Sequence, residues 1–562
     1  MAGVMEEVTR LSEILENEYV GKWKRGGGGV VGYSCVTTPP EIIDAAGLLP
    51  YRLRALGNPR TEIADAHLAR FNCSFCRSCL QLGLEGAYDF LDGLVETNGC
   101  DHLRGMFENW QYVKPTPFFH YVKVPHQTTP EALEYYEGEL RIFAGSLGQY
   151  FGVQVTEEAL AGAIDRQEAV RQRLRKIYAM REGDSPAFTG AEALSLFLIA
   201  SAMPADDFAG LADRAIDERR DTGISGYRAR LMLCGAATDE LELIREIERV
   251  GGLVVGDAFC YGARAFWKPV KTGGDPYRAL ADTYLKEMLC PRMYEDFPRR
   301  LGFVIEAVSR AGVDGVIAMH NKFCDVHGVD NVQLRLGLEK RGIPVLQLEK
   351  EYGSRADTHQ GAGLPGAYWR ETENRRAAVS LINEPLSREI PRGAYKVGLF
   401  DRVSSLFEVI DMLPDRLSDE EVDGLMSVLP PDSTRSLSAM FIPRNREGSM
   451  AAMRMLAAWI KEARKAPREG RKTILVPFCF PPELVHAFDN AFPVTSEVLS
   501  SLGVIALEGQ GERYYDMALG IGLPDHICSS NAIEIGSMIG SDDFQPQAII
   551  SAATGSCDIN AK

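Results

Sequence analysis

The 562-residue chain has no apolar run near the ~18 residues that a membrane helix requires. Its opening, Met1-Ala2-Gly3-Val4-Met5-Glu6-Glu7, lacks the apolar core and small-residue cleavage site of a leader. Basic residues are in deficit, with 61 Lys and Arg against 78 Asp and Glu and a formal charge of -17, so the clustered cations that neutralise nucleic-acid phosphates are missing. There is also no phosphate loop: Gly26-Gly27-Gly28-Gly29 follows no strand and precedes no Lys-Ser/Thr, and reads as a flexible hinge. These absences predict a cytoplasmic protein that engages neither membrane nor nucleic acid. Thiols stay reduced in that compartment, so the twelve cysteines read as ligands and core thiols rather than disulfides.

What is present is ordinary globular material, 45% hydrophobic and 25% charged. The length exceeds the roughly 250 to 300 residues at which one core stops growing, so several domains are expected. Residues 1–29 read as one amphipathic helix, with Val8, Leu11, Ile14 and Leu15 at helical spacing, and the glycine hinge. Residues 30–130 alternate strand and helix: Val30 to Cys35, a helix opened by Pro39-Pro40-Glu41 and closed by Ala46-Gly47, then Leu48 to Leu53. Such alternation predicts an α/β lobe with a parallel sheet of the Rossmann type. Residues 131–225 are rich in helix formers and read as a helical bridge. Residues 226–352 form a second α/β lobe, with strands at Arg230 to Gly235, Gly252 to Asp257, Asp314 to His320 and Pro344 to Glu349. Residues 353–470, with Gly361 to Gly366 and Pro430-Pro431, read as linker and helices.

The chain is organised around Asn72-Cys73-Ser74-Phe75-Cys76-Arg77-Ser78-Cys79 and, past a helix and a strand, Asn98-Gly99-Cys100-Asp101. Soft thiolates at such spacing suit zinc or an iron–sulfur cluster. Open α/β sheets bind ligands beyond the carboxyl ends of their strands, which is where these loops fall. Cys73 and Cys100 are therefore the first ligand candidates, joined by Cys324 in Lys322-Phe323-Cys324-Asp325 after another strand. Cys76 and Cys79 lie one and two turns further along the helix, as extra ligands or packed thiols. Cys35 and Cys260 follow strands, facing the pocket or filling the core, whereas Cys234 and Cys290 read as core or helix thiols. His320 and His327 flank Cys324 as zinc ligands, proton donors or hydrogen-bonded structural residues. Arg77 and Arg104 either steer an anionic substrate or offset cluster charge.

Residues 471–562 restate the first lobe. Thr473 to Cys479, Pro481-Pro482-Glu483 and Phe492-Pro493-Val494 repeat the opening pattern, and Cys479, Cys528 and Cys557 answer to Cys35, Cys73 and Cys100. The copy stops at Lys562, directly after its last strand-end cysteine, which implies a longer chain or a tail that docks on a partner.

The order of Pro39 to Pro50, Cys73 with Arg77-Ser78, Leu84-Glu85-Gly86, Tyr88 to Gly93, Asn98-Gly99-Cys100-Asp101, Asp257 to Arg264, Lys322-Phe323-Cys324-Asp325 and Leu348 to Tyr352 resembles the iron–sulfur subunits of the 2-hydroxyacyl-CoA dehydratase and benzoyl-CoA reductase family. The resemblance covers residues 30 to 352. It implies two flavodoxin-like lobes joined by helices, with one [4Fe-4S] cluster per complete module between them, held by Cys73, Cys100 and Cys324. It further implies an acyl-CoA substrate, a related pairing subunit partly fused here, an ATP-hydrolysing iron–sulfur activator that delivers single electrons, and an anaerobic setting. Three thiolates on a four-iron cube would leave one iron for water or a substrate oxygen, and one electron would turn the thioester carbonyl into a ketyl radical anion or, in the benzoyl-CoA branch, enter the ring. Asn531 and Ala532 stand where the first copy has Cys76 and Arg77, so the second site departs from the pattern. Two alternatives remain open here. One is a double-cubane reductase of the same family that also uses Cys35, Cys76 and Cys260; the other is a non-enzymatic scaffold with zinc on Cys73, Cys76, Cys79 and Cys100.

Overall fold

The structure is a computed structural model and describes residues 3–183, 185–353, 418, 446–477, 482–488, 490–495, 498, 510–524, 528–541 and 546–549. Cys479, Cys557 and most of the expected linker, including Gly361 to Gly366 and Pro430-Pro431, lie outside the described residues. The chain divides into two units, Met1–Leu386 and Ser387–Lys562.

The first unit opens with α1 (Val4–Ser12) and α2 (Glu18–Arg25), where the sequence predicts a single helix. The break has a local cause. Asn17 caps α2 by accepting the Tyr19 and Val20 N–H groups, and its amide donates to the Ala202 carbonyl at 2.8 Å, which fixes the chain direction between the helices. The glycines that follow form a packed turn rather than an open hinge. Gly26 ends α2, Trp23 Nε1 donates to the Gly29 carbonyl at 3.0 Å, and a Cβ on Gly28 would stand 2.2 Å from that indole nitrogen.

The first sheet comprises β1 (Val30–Tyr33), β2 (Leu49–Arg52), β3 (Gly93–Thr97) and β4 (Phe118–Val122), all parallel in the order β2-β1-β3-β4. Its crossovers carry α3 (Pro40–Ala45), α4 (Ser74–Glu85) and α5 (Asp101–Val113). The bridge is helical as predicted: α6 (Pro130–Phe151), α7 (Glu157–Ala179), α8 (Gly190–Ala200) and α9 (Ala205–Arg219). Thr129 and Thr156 cap α6 and α7, and Thr189 with Glu192 forms a reciprocal capping box on α8.

The second sheet repeats the first in plan. Strands β5 (Ala229–Gly235), β6 (Gly252–Ala258), β7 (Gly315–Asn321) and β8 (Val345–Lys350) are parallel in the order β6-β5-β7-β8, with α10 (Leu241–Arg249), α11 (Pro276–Ala281), α12 (Phe297–Arg310) and α13 (Asp325–Glu339) between them. Central strands β5 and β7 are buried throughout, which is why they read as nearly continuous apolar runs. Both lobes share one core: Leu53, Leu80 and Leu94 of the first belong to the same buried cluster as Met232, Ile317 and Tyr352 of the second.

The second unit contains α14 (Arg446–Arg468), β9 (Lys472–Val476), β10 (Ala491–Thr495), α15 (Gln510–Gly520), α16 (Ser529–Gly540) and β11 (Ala548–Ile549). Its sheet is parallel in the order β10-β9-β11, the order of β2-β1-β3. Cys528 precedes α16 with φ -49° and ψ 120°, close to the φ -47° and ψ 125° of Cys73 before α4.

Candidate functional site

Each of the three leading cysteines occupies the position just before a helix: Cys73 before α4, Cys100 before α5 and Cys324 before α13. These helices leave the carboxyl ends of their sheets, so three helix N-termini bring three sulfurs toward one region between the lobes. Cys73 is held well below the ordinary thiol pKa, first by hydrogen bonds from the Cys324 and Cys76 thiols and then, against its burial, by His102 and the Cys76 N–H. Cys76 and Cys324 move the opposite way, each because its thiol donates to Cys73 and because it is buried; the charge of Cys100 adds to both shifts. Cys73, Cys76 and Cys324 thus act on one another, with Cys100 near enough to act on two of them. A helix N-terminus favours a nearby anion, which supports the thiolate form at this junction.

The surrounding backbone is fixed from both lobes. Asn98 exchanges hydrogen bonds with Val124, at 2.7 and 3.0 Å, joining the ends of β3 and β4. Arg292 reaches across from the second lobe and donates to the carbonyls of Asn98 at 2.9 Å and Pro125 at 2.7 Å, which holds the loop that carries Cys100. Before Cys324, Phe323 adopts φ 66°, a left-handed conformation that is costly for a side-chain-bearing residue and is retained where the surroundings enforce it. The Cys324 N–H closes that turn on the Asn321 carbonyl at 2.9 Å.

Other sequence candidates separate from this group. Cys79 is fully buried, and burial pushes its thiol well up; it lies in the core near Asp239 and acts on the ring hydroxyls of Tyr51, Tyr88, Tyr261 and Tyr352. A zinc site that needs Cys79 beside Cys100 is not the arrangement found. Among the described residues no group of three or more His, Cys, Asp or Glu side chains is set to hold a metal ion. Cys35 Sγ sits 3.1 Å from Thr37 Oγ1 and beside Gly99, where an added Cβ would come within 2.9 Å of it. Cys260 accepts from Arg52 through its carbonyl at 2.7 Å and packs against both hydrophobic cores. Cys234, inside β5, and Cys290 are thiols raised mainly by burial. Cys528 is exposed.

Arg77 is not disposed to steer a substrate. Its guanidinium is 8% exposed and is taken up by Asp65 and Glu351, each at 2.9 Å. Arg104 pairs with Glu108 at 3.3 Å and Asp101 at 3.8 Å along α5. His320 Nε2 is 3.3 Å from Glu349 Oε2 on the adjacent strand, a structural pairing, and the His327 N–H lowers the Cys324 thiol against the larger raising effects.

Two residues of the site carry little signal in the sequence. His102 follows Cys100 by two positions and contacts the start of α4, and that spacing in the first turn of α5 was its only signal. Arg292 lies in an irregular loop and has no local signature.

A donor set made of sulfur, with one thiolate favoured and three helix N-termini behind it, fits an iron–sulfur cluster better than a carboxylate-bound ion. A family model described as 2-hydroxyglutaryl-CoA dehydratase, D-component, matches residues 35–362, a span that includes all three cysteines. A benzoyl-CoA reductase subunit of Thauera aromatica is 26% identical over 363 residues, covering 62% of this chain and 92% of the relative. The (R)-phenyllactyl-CoA dehydratase beta subunit of Clostridium sporogenes is 24% identical over 344 residues, 60% of this chain and 91% of the relative. The beta subunit of (R)-2-hydroxyglutaryl-CoA dehydratase from Acidaminococcus fermentans is 22% identical over 370 residues, 63% and 96% respectively. On its cysteine-capped twin lobes and the extent of this match, the chain belongs to the 2-hydroxyglutaryl-CoA dehydratase D-component family.

Proposed function

We propose that the chain is the cluster-bearing subunit of a 2-hydroxyacyl-CoA dehydratase or benzoyl-CoA-type reductase, with Cys73, Cys100 and Cys324 as the ligands of a [4Fe-4S] cluster. The observation that supports this reading is that each of those three residues stands at a helix start, on two lobes that share a core, and that Cys73 and Cys324 act on each other. Such a cluster supplies single low-potential electrons and an iron that no protein ligand occupies. The chain's own part is to hold the sulfurs in thiolate-favouring positions, to fix their spacing through Arg292 and the α4 contacts, and to enclose the site between the lobes.

The names of the relatives favour an acyl-CoA or aroyl-CoA thioester as substrate and a pairing subunit as partner. An ATP-hydrolysing iron–sulfur activator completes the reading, in an anaerobic cytoplasm. Among the described residues no helix is long and apolar enough to cross a membrane. Residues 471–562 are read as the beginning of a second family copy, on the strength of the shared strand order and the matching backbone at Cys528. The double-cubane alternative draws support from one observation, the contact of Cys76 with Cys73.

Iron, sulfide and zinc counted on the anaerobically purified full chain, together with the paramagnetic spectrum of the reduced protein, test this. About four irons per chain are expected. Cys73→Ala, Cys100→Ala and Cys324→Ala should each lose most of the iron while Cys79→Ala keeps it. About eight irons would select the double-cubane reading, and zinc without iron would overturn both.

A further inference from the structure

His102 is the second residue of α5, two positions beyond Cys100, and its side chain is 13% exposed. Its Nδ1 accepts the backbone N–H of Cys73 at 3.2 Å and lies 2.9 Å from Asn72 Oδ1. Its Nε2 stands 4.0 Å from Asp325 Oδ2, and Asp325 is the first residue of α13, directly after Cys324. One ring therefore ties the start of α4 to α5 and faces the start of α13 on the other lobe.

The rigidity of the ring matters. A planar imidazole fixes the separation of its two nitrogens, so a group bonded at Nδ1 and a group facing Nε2 cannot move independently of α5. The Cys73 N–H sets the rotation of that residue's backbone and hence the direction of its Cα–Cβ bond. On the other side, the Phe323 turn and the Cys324 N–H to Asn321 bond leave Cys324 little freedom of its own. The site is thus rigid at Cys324, and Cys73 follows a loop whose other contacts are made by Asn72 and Arg77.

We propose that His102 is the positioning residue of the cysteine triad: by bonding the Cys73 backbone from α5 and facing the start of α13 it sets the spacing of the sulfurs of Cys73, Cys100 and Cys324. This rests on the reading of those cysteines as cluster ligands. His102 itself binds no iron in this assignment. Groups behind a metal's ligands that orient them typically change metal retention by about 10- to 100-fold when removed.

The test uses the full chain, anaerobically purified, with His102→Leu, His102→Asn and His102→Gln. An asparagine amide reaches the place of Nδ1 and keeps the Cys73 contact; a glutamine amide reaches the place of Nε2 and keeps only the Asp325 side; leucine keeps neither. Leucine is expected to lose iron to a chelator about tenfold faster than the parent and to alter the paramagnetic spectrum of the reduced protein. Asparagine should restore both properties more fully than glutamine. In protein stripped of iron, leucine should also raise the alkylation rate of Cys73, read by mass spectrometry, and leave buried Cys79 unchanged. Parental iron retention, spectrum and Cys73 alkylation in the leucine variant would overturn the assignment. Where leucine fails to fold, equal behaviour of the asparagine and glutamine variants overturns it. A parent chain that carries no iron at all refutes the cluster reading separately, and the alkylation comparison still decides whether His102 positions Cys73.

Discussion

A carboxyl four residues before Cys100 shows what position alone does to a side chain. Glu96, on β3, is 3% exposed, and burial raises its pKa to about 7, with Glu108 adding to the rise and Arg104 opposing it. Between the ordinary carboxylate pKa and about 7 the folded chain keeps a proton there that the unfolded chain has released, so stability falls as pH rises through that window and levels off above it. Glu96→Gln should remove this cost. The expected gain is about 1 to 2 kcal/mol at pH 8 and none at pH 4, measured as the difference in urea midpoints between the two proteins across pH. Cys73 and Cys79 make the same point within one helix: six residues apart, one is lowered by hydrogen bonds from neighbouring thiols and the other raised by burial. Their difference was legible in the sequence only in part. Cys73 announced itself by standing at a helix start in a sequence-repeated position. The fate of Cys79 depended on its burial and on Asp239, which comes from a distant part of the chain.

Among the elements, α4 and the end of β8 act as a pair. Ser74 Oγ accepts the Tyr352 N–H at 3.1 Å, the rings of Phe75 and Tyr352 meet edge to face at 5.3 Å, and Arg77 pairs with Glu351. Asp239 completes the joint by accepting the N–H groups of Ala55 at 2.6 Å and Leu56 at 2.9 Å together with the Tyr352 hydroxyl, while that hydroxyl accepts the Gly57 N–H at 2.8 Å. Close by, Lys350 is buried between Glu240 and Asn321. Removing the carboxylate leaves two buried N–H groups without this acceptor, so Asp239→Ala is expected to cost about 3 kcal/mol. Tyr352→Phe, which loses one donor and one acceptor, should cost about 1 to 2 kcal/mol. Because both act on one joint, the double variant should cost less than the sum, and a cycle of urea midpoints measures the coupling. The lobes themselves were legible, since strand–helix alternation with Pro at helix starts and Gly at helix ends is local information. The joint was not, because Leu348 to Tyr352 reads as a strand end and nothing in those residues names Asp239. Local chemistry also explains why one expected helix is two, as Asn17 has the side chain to cap a second helix where apolar spacing suggested a continuous one.

At the scale of the molecule, the three parallel sheets among the described residues share one arrangement, the first strand central with the second and third on either side, yet they belong to two units. The two sheets of the first unit share a continuous core, so their lobes should unfold together. The second unit has its own sheet, with β9 at its centre, and no such sharing is required of it. Chains of several cores commonly depart from a single transition. Heating or urea is therefore expected to unfold this protein in two steps. On the proposed ligation, visible absorbance should disappear with the step that belongs to the first unit, since Cys73, Cys100 and Cys324 all lie there. Circular dichroism of the backbone, followed beside visible absorbance on the anaerobic full chain, separates the steps. Cys100→Ala supplies the control: it should lower the first unit's midpoint by withdrawing the stabilisation that a bound group gives to the folded state alone, and leave the other step in place. One shared transition that moves as a whole in Cys100→Ala would show instead that the units fold as one, with the stability of the second tied to what the first binds.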